Sequence, residues 1–136
     1  MTIVKEMMEF LSQNKFGSLA TCMDNQPDNR PMECAFVSDK GLFFYTKKGE
    51  DLAEQISNNQ NVCFTATDSN YNYIKVRGSV VFSNDEEDQV SILNHSNFAK
   101  QVFQESDRSS MIVFYLAHGK GMMHAHGNNK PVSFEF

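Results

Sequence analysis

The sequence has no tryptophan, only three prolines and only three cysteines among 136 residues. Cys22, Cys34 and Cys63 are odd in number and show no Cys-x-x-Cys spacing. That excludes a fully paired disulfide framework and the common zinc motifs, and reduced, buried thiols of a cytoplasmic protein are expected. Long apolar runs are missing too. The longest, Met111–Ala117, has seven residues, whereas a membrane-spanning helix needs roughly 20. Lys5, Glu6 and Glu9 interrupt the N-terminal region, so no signal-peptide core is expected. Excess positive charge is absent. Lys+Arg is 12 against 17 Asp+Glu, a formal charge of −5, which argues against a nucleic-acid binder. No G-x-G-x-x-G or Walker sequence occurs, which removes the common nucleotide folds.

What remains is an ordinary globular chain rich in phenylalanine. Hydrophobic residues make up 40% and charged residues 21%, which argues against disorder. The length is one domain's worth, so 1–136 is expected to be a single domain. Twelve Phe and four Tyr suit a filled aromatic core or a site for a flat ligand.

Apolar positions Val4, Met7, Met8 and Leu11 recur at helical spacing and predict a helix over 2–14. Phe16–Met23 reads as a strand ended by the polar run 24–29. Pro31–Val37 alternates, with Met32, Cys34 and Phe36 on one face and Glu33, Ala35 and Val37 on the other. Ser38-Asp39-Lys40-Gly41 reads as a tight turn into a return strand, Leu42–Thr46. A short helix is predicted over 49–58, then strands over 62–67 and 71–83. On the last, Ile74, Val76, Gly78, Val80 and Phe82 share one face, and Tyr73, Lys75 and Arg77 the other. Ser83 and Glu86 read as a capping box for helices at 85–94 and 96–104. Strands at 111–117, 121–126 and 132–136 close the chain. Neighbouring strands with few helices between them predict a mainly β antiparallel barrel with peripheral helices.

Two clusters carry possible chemistry. Arg30-Pro31-Met32 enters one strand of the predicted hairpin, and Tyr45-Thr46-Lys47-Lys48-Gly49 leaves the other. Both lie far from the turn, so Arg30, Thr46, Lys47 and Lys48 are expected at one end of the sheet. Cations, a hydroxyl and the N–H groups of a helix start are what a phosphate monoester requires; the same lysines also suit a solvated turn. His124 and His126 stand two apart with His118 nearby. A metal there needs a third ligand, and pocket-edge histidines are the simpler reading.

The run Gly17-Ser18-Leu19-Ala20-Thr21, then Gln26-Pro27 and Arg30-Pro31-Met32, resembles the opening of the pyridoxamine 5′-phosphate oxidase-like FMN-binding proteins. Gly41-Leu42-Phe43-Phe44-Tyr45-Thr46, Asn61-Val62, Val76-Arg77-Gly78-Ser79-Val80 and Phe114-Tyr115-Leu116 follow in the family's order. The likeness spans residues 3–136 and is nearest to short bacterial members, including nitroimidazole-reductase-type relatives. It implies an FMN-binding split β-barrel that forms a homodimer with the flavin between subunits. It also implies that Arg30 contacts the phosphate and ribityl chain, that the backbone at Pro31 and Met32 runs along the ring, and that Thr46 with Lys47 and Lys48 holds the phosphate. Glu33, Tyr45 and Asp51 adjoin these positions. Lys75 lies on the face expected at the dimer groove, and His124 is placed to reach the flavin from the partner. Full oxidases carry an Arg-Lys pair where this chain has Asp51 and Leu52, so Lys47 and Lys48 are expected to substitute. The implied function is a flavin-dependent oxidoreductase, a reductase of a small aromatic or nitro-type substrate, with no catalytic residue assigned. The alternative is a non-catalytic flavin- or haem-binding module; the deazaflavin F420 is a further cofactor option beside FMN.

Overall fold

The computed structural model describes residues 2–103, 108–127 and 130–136, apart from the side chains of Thr2 and Ile3. Helix α1 (Thr2–Gln13) leads into β1 (Phe16–Met23), β2 (Gln26–Glu33), β3 (Phe36–Ser38) and β4 (Gly41–Lys47). Then come α2 (Asp51–Asn58), β5 (Asn61–Thr67), β6 (Tyr73–Ser83), α3 (Glu86–His95) and α4 (Asn97–Val102). The chain ends in β7 (Met111–Leu116), β8 (Lys120–His124) and β9 (Val132–Glu135). All nine strands among the described residues pair antiparallel. The fold is the expected barrel with peripheral helices.

The long strand β6 joins the two halves. Its residues 73–79 pair with β5, and Tyr73–Arg77 also pair with β8. Val80–Ser83 then pair with β7 in the other half. Gly78 sits at this crossing, where a Cβ would fall 2.6 Å from the His118 carbonyl oxygen. Only a residue without a side chain lets the β7–β8 corner pass so close. Beyond the crossing the apolar alternation fails. Val80 is buried, but Phe82, expected on the core face, is exposed at the strand's far end.

The main core is built from α1, α2 and the inner faces of both halves, with Phe44, Phe64 and Phe114 in ring contact. A second cluster fills the space between β4, β7 and helices α3 and α4. There Phe36, Phe43 and Tyr115 stack in series, at centroid distances of 4.5 and 4.7 Å. The phenylalanine surplus is thus mostly core.

Several local expectations change in the structure. The polar run after Met23 is not a loop: Asp24 and Asn25 make the turn at positive φ, and Gln26 already pairs with Met23. Strand β2 is an edge strand, and an edge tolerates the polar residues and the prolines Pro27 and Pro31. Pro31–Val37 is not one strand. It breaks at Cys34-Ala35, both buried, where the Cys34 N–H donates to Lys15 O and the Ala35 N–H to Phe43 O. The Ser83–Glu86 capping box does not form. Asp85 caps α3 by accepting from the Glu87 N–H, and Ser83 donates instead to Asp88 at 2.6 Å. Helix α4 ends at Val102; Gln104, the expected last residue, lies outside the described residues.

Candidate functional site

The β3–β4 hairpin turns at Asp39-Lys40, with Ser38 opposite Gly41. It therefore places the end of β4 far from that turn, beside β2. A cavity of about 710 Å³ opens there, within the range of roughly 300–1,000 Å³ usual for small-molecule sites. Arg30, Pro31, Met32 and Glu33 of β2, Tyr45, Thr46 and Lys47 of β4, and Asp51 of α2 all line it. Eight of the expected positions thus converge. Lys48 does not line the cavity. It is exposed in the following turn, and its N–H donates to Ser110 O at 2.9 Å. Lys75 and His124 lie elsewhere on the barrel, on β6 and β8, where His124 stacks on Tyr73 at 5.2 Å. Within one chain neither reaches this groove.

The groove has a flat apolar part and a polar end. Phe16, Met32, Phe98, Val102 and Phe103 supply the apolar walls. Phe16 and Phe98 meet edge to face at 6.4 Å and remain half exposed or more. The polar end holds Thr46, Lys47 and the start of α2. That start lacks a side-chain cap: Glu50 occupies the cap position but accepts no hydrogen bond there. Such a helix start offers backbone donors to an anion. Carboxylates also line the cavity: Asp28, Glu33, Glu50 and Asp51, against the cations Arg30 and Lys47.

Arg30 is held by its own fold. One terminal nitrogen donates to Thr21 Oγ1 at 2.9 Å and Leu19 O at 3.2 Å. The other donates to Asp28 Oδ2 at 3.0 Å and to Gln55. Gln55 in turn donates to Asp28 at 2.8 Å. The Gln55 bond, the Asn29 N–H and Arg30 together hold the Asp28 carboxyl below the usual carboxylate range. The network ties β1, β2 and α2 together at one wall of the groove.

A second network forms another wall. Glu33 is only 6% exposed. Its Oε1 accepts from the Tyr45 hydroxyl at 3.2 Å and from the Ser96 hydroxyl. Ser96 also caps α4, accepting from the Ala99 N–H at 2.9 Å. Burial pushes the Tyr45 hydroxyl above the ordinary phenol range, and Glu33 adds to that against the opposing Ser96 bond. Tyr45 therefore stays protonated and donates. Ser96 is invisible as a site residue in sequence, because 63 positions separate it from Glu33. Its only local signal is that of a helix cap. The aromatic walls from Phe16 and Phe98 carry no local signal either.

The histidines do not converge. His118 and His124 flank opposite ends of β8. His126 lies beyond the strand, with its N–H on Asn72 Oδ1 and its ring against Tyr71. Among the described residues no three His, Cys, Asp or Glu side chains gather as a metal site.

Residues 3–120 match the sequence family described as pyridoxamine 5′-phosphate oxidase. The chain belongs to this family. A search of curated proteins returned no sequence match. Solved structures place this family member among split-barrel proteins. One is a NimC/NimA family protein from Clostridium acetobutylicum, 21% identical, covering 97% of this chain and 91% of that one, with a TM-score of 0.81. Another is a putative pyridoxamine 5′-phosphate oxidase from Listeria innocua, 18% identical, covering 97% and 98%, at 0.69. A third is the haem storage protein HutZ from Vibrio cholerae, 14% identical, covering 83% and 87%, at 0.67. At these identities the likeness establishes the fold. No helix among the described residues is long and apolar enough to cross a membrane.

Proposed function

We propose that this family member binds FMN in the groove between β2, β4, α2 and α4, and acts as a flavin-dependent reductase of small aromatic or nitro-type substrates. The observation that carries the reading is the groove's division. Apolar walls run from Phe16 to Phe103, and a polar end joins Thr46 and Lys47 to an uncapped helix start. A flavin is divided in the same way, into a flat tricycle and a terminal phosphate. The bound flavin would supply hydride transfer. The chain's own residues bind and orient it. Thr46 and Lys47 with the α2 amides take the phosphate, while Pro31 and Met32 of edge strand β2 lie along the ring. Arg30, already bonded to Asp28 and Gln55, holds that wall in place.

The functional unit in this reading is a homodimer. Phe16 and Phe98 stand exposed at the groove, and a second copy would cover them and exclude water from the ring. Lys75 and His124 then reach the flavin from that second copy. Purified protein is expected to show a flavin absorption spectrum, to release a molecule of FMN mass on denaturation, and to reduce a nitroaromatic with NADH or NADPH. Colourless protein that gains no thermal stability from added FMN overturns the proposal. Bound flavin that neither nucleotide reduces supports the non-catalytic alternative.

A further inference from the structure

Glu33 is a buried carboxyl group with an asymmetric environment. Both hydroxyl donors that reach it, Tyr45 and Ser96, go to Oε1. Among the described residues none donates to Oε2, although the side chain is 6% exposed and lines the cavity. No buried side-chain oxygen or nitrogen among the described residues lacks a partner, so Oε2, which takes neither hydroxyl, is the oxygen that Glu33 leaves open to the groove it lines. Tyr45 and Ser96 are themselves buried and fixed, Ser96 by its capping bond to Ala99. The carboxyl group therefore has one locked oxygen, and its other oxygen has room to accept a bond from the groove. Beside it stand the apolar rings and side chains of Phe103, Val102 and Met32. An acceptor set among flat apolar walls recognises a ring that carries a donor.

We propose that Glu33 is the specificity residue of the groove, its Oε2 accepting a hydrogen bond from a ring N–H of a flat heteroaromatic ligand. This deepens the flavin reading and rests on the same cavity. The donor has two possible sources: the imide N–H of the isoalloxazine ring itself, or the N–H of a small aromatic substrate. Anionic aromatics, such as benzoates, are disfavoured in both cases, because Asp28, Glu33, Glu50 and Asp51 line the same space. A site built to accept a bond discriminates strongly against a ligand that cannot donate it.

The test measures binding by calorimetry with two matched pairs of probes: FMN against its N3-methyl derivative, and benzimidazole against 1-methylbenzimidazole. Wild-type protein is expected to bind the N–H member of at least one pair at least tenfold more tightly. Glu33→Gln is expected to reduce that preference to less than threefold. Its amide oxygen can keep the Tyr45 and Ser96 bonds, which leaves an NH2 group facing the ligand. The pair that shows the effect identifies the donor as flavin or substrate. Equal binding within both pairs overturns the proposal, and this comparison needs only the wild-type protein. A preference that persists undiminished in folded Glu33→Gln also overturns it. Failure of FMN to bind at all refutes the flavin reading alone, since the benzimidazole pair is titrated without flavin and still decides the role of Glu33.

Discussion

Glu50 and Asp51 stand at the end of the groove where the phosphate is proposed to lie. Like charges in a partly closed site weaken anion binding, and screening by salt moderates the effect. Glu50→Gln is therefore expected to tighten FMN binding severalfold in low-salt titrations, with little change for riboflavin. Unchanged or weaker FMN binding places the phosphate elsewhere. Cys34 offers a separate test at this scale. Burial pushes its thiol up to about 12, against small opposing contributions led by the Phe43 backbone hydrogen bond. An unfolded thiol ionises near 8.5. The folded state thus holds a proton that the unfolded state releases, and this contribution to stability is present at neutral pH and lost as pH rises above about 8.5. In native protein at pH 8, a thiol reagent is expected to label the partly exposed Cys22 and Cys63 and to spare Cys34 until the chain unfolds. Equal labelling of all three contradicts the burial. The sequence pattern was sufficient to find the Arg30–Glu33 and Tyr45–Lys47 segments, although the expected hairpin pairs only Phe36–Ser38 with β4, and β2 pairs with β1 before the break at Cys34-Ala35. It was not sufficient to find Ser96 or Phe98, whose contacts depend on how α4 packs across the barrel.

Elements show where local chemistry and tertiary context disagree. Strand β1 matches its expected bounds, since an apolar face and a turn pair at Asp24-Asn25 define it. Strand β2 does not, because an edge strand lacks the alternation that a half-buried strand displays. At α3 two capping schemes competed. Asp85→Ala is expected to cost about 1 kcal/mol in denaturant unfolding, and Glu86→Ala close to nothing. The reverse order restores the capping box. The β3–β4 turn rests on Gly41, at φ +143°, where a Cβ would fall 1.9 Å from the Leu116 carbonyl oxygen. Gly41→Ala must shift β7 or open the turn, and a loss of roughly 3 kcal/mol or more is expected, within the tail of single-substitution effects. A change below about 0.5 kcal/mol contradicts the close approach.

At the scale of the whole molecule, an acidic chain is proposed to bind an anionic cofactor in a groove with more carboxylates than cations. That is consistent only if local donors, not net charge, hold the phosphate. The fold is legible in sequence because its strands follow one another with their turns marked. The groove's depth and the exposed Phe16–Phe98 pair are not, since they arise where β1 meets α4. If that pair is covered by a second copy, sedimentation should give twice the chain mass, and Phe98→Asp should shift it towards the monomer. The most direct measurement of the central claim compares FMN with riboflavin on wild-type protein and on Thr46→Ala. A phosphate held by charge-assisted bonds contributes roughly 1.5–3 kcal/mol per bond. The account predicts that riboflavin binds wild type at least tenfold more weakly than FMN, and that Thr46→Ala narrows this difference by weakening FMN alone. Equal affinity of wild type for FMN and riboflavin would contradict it.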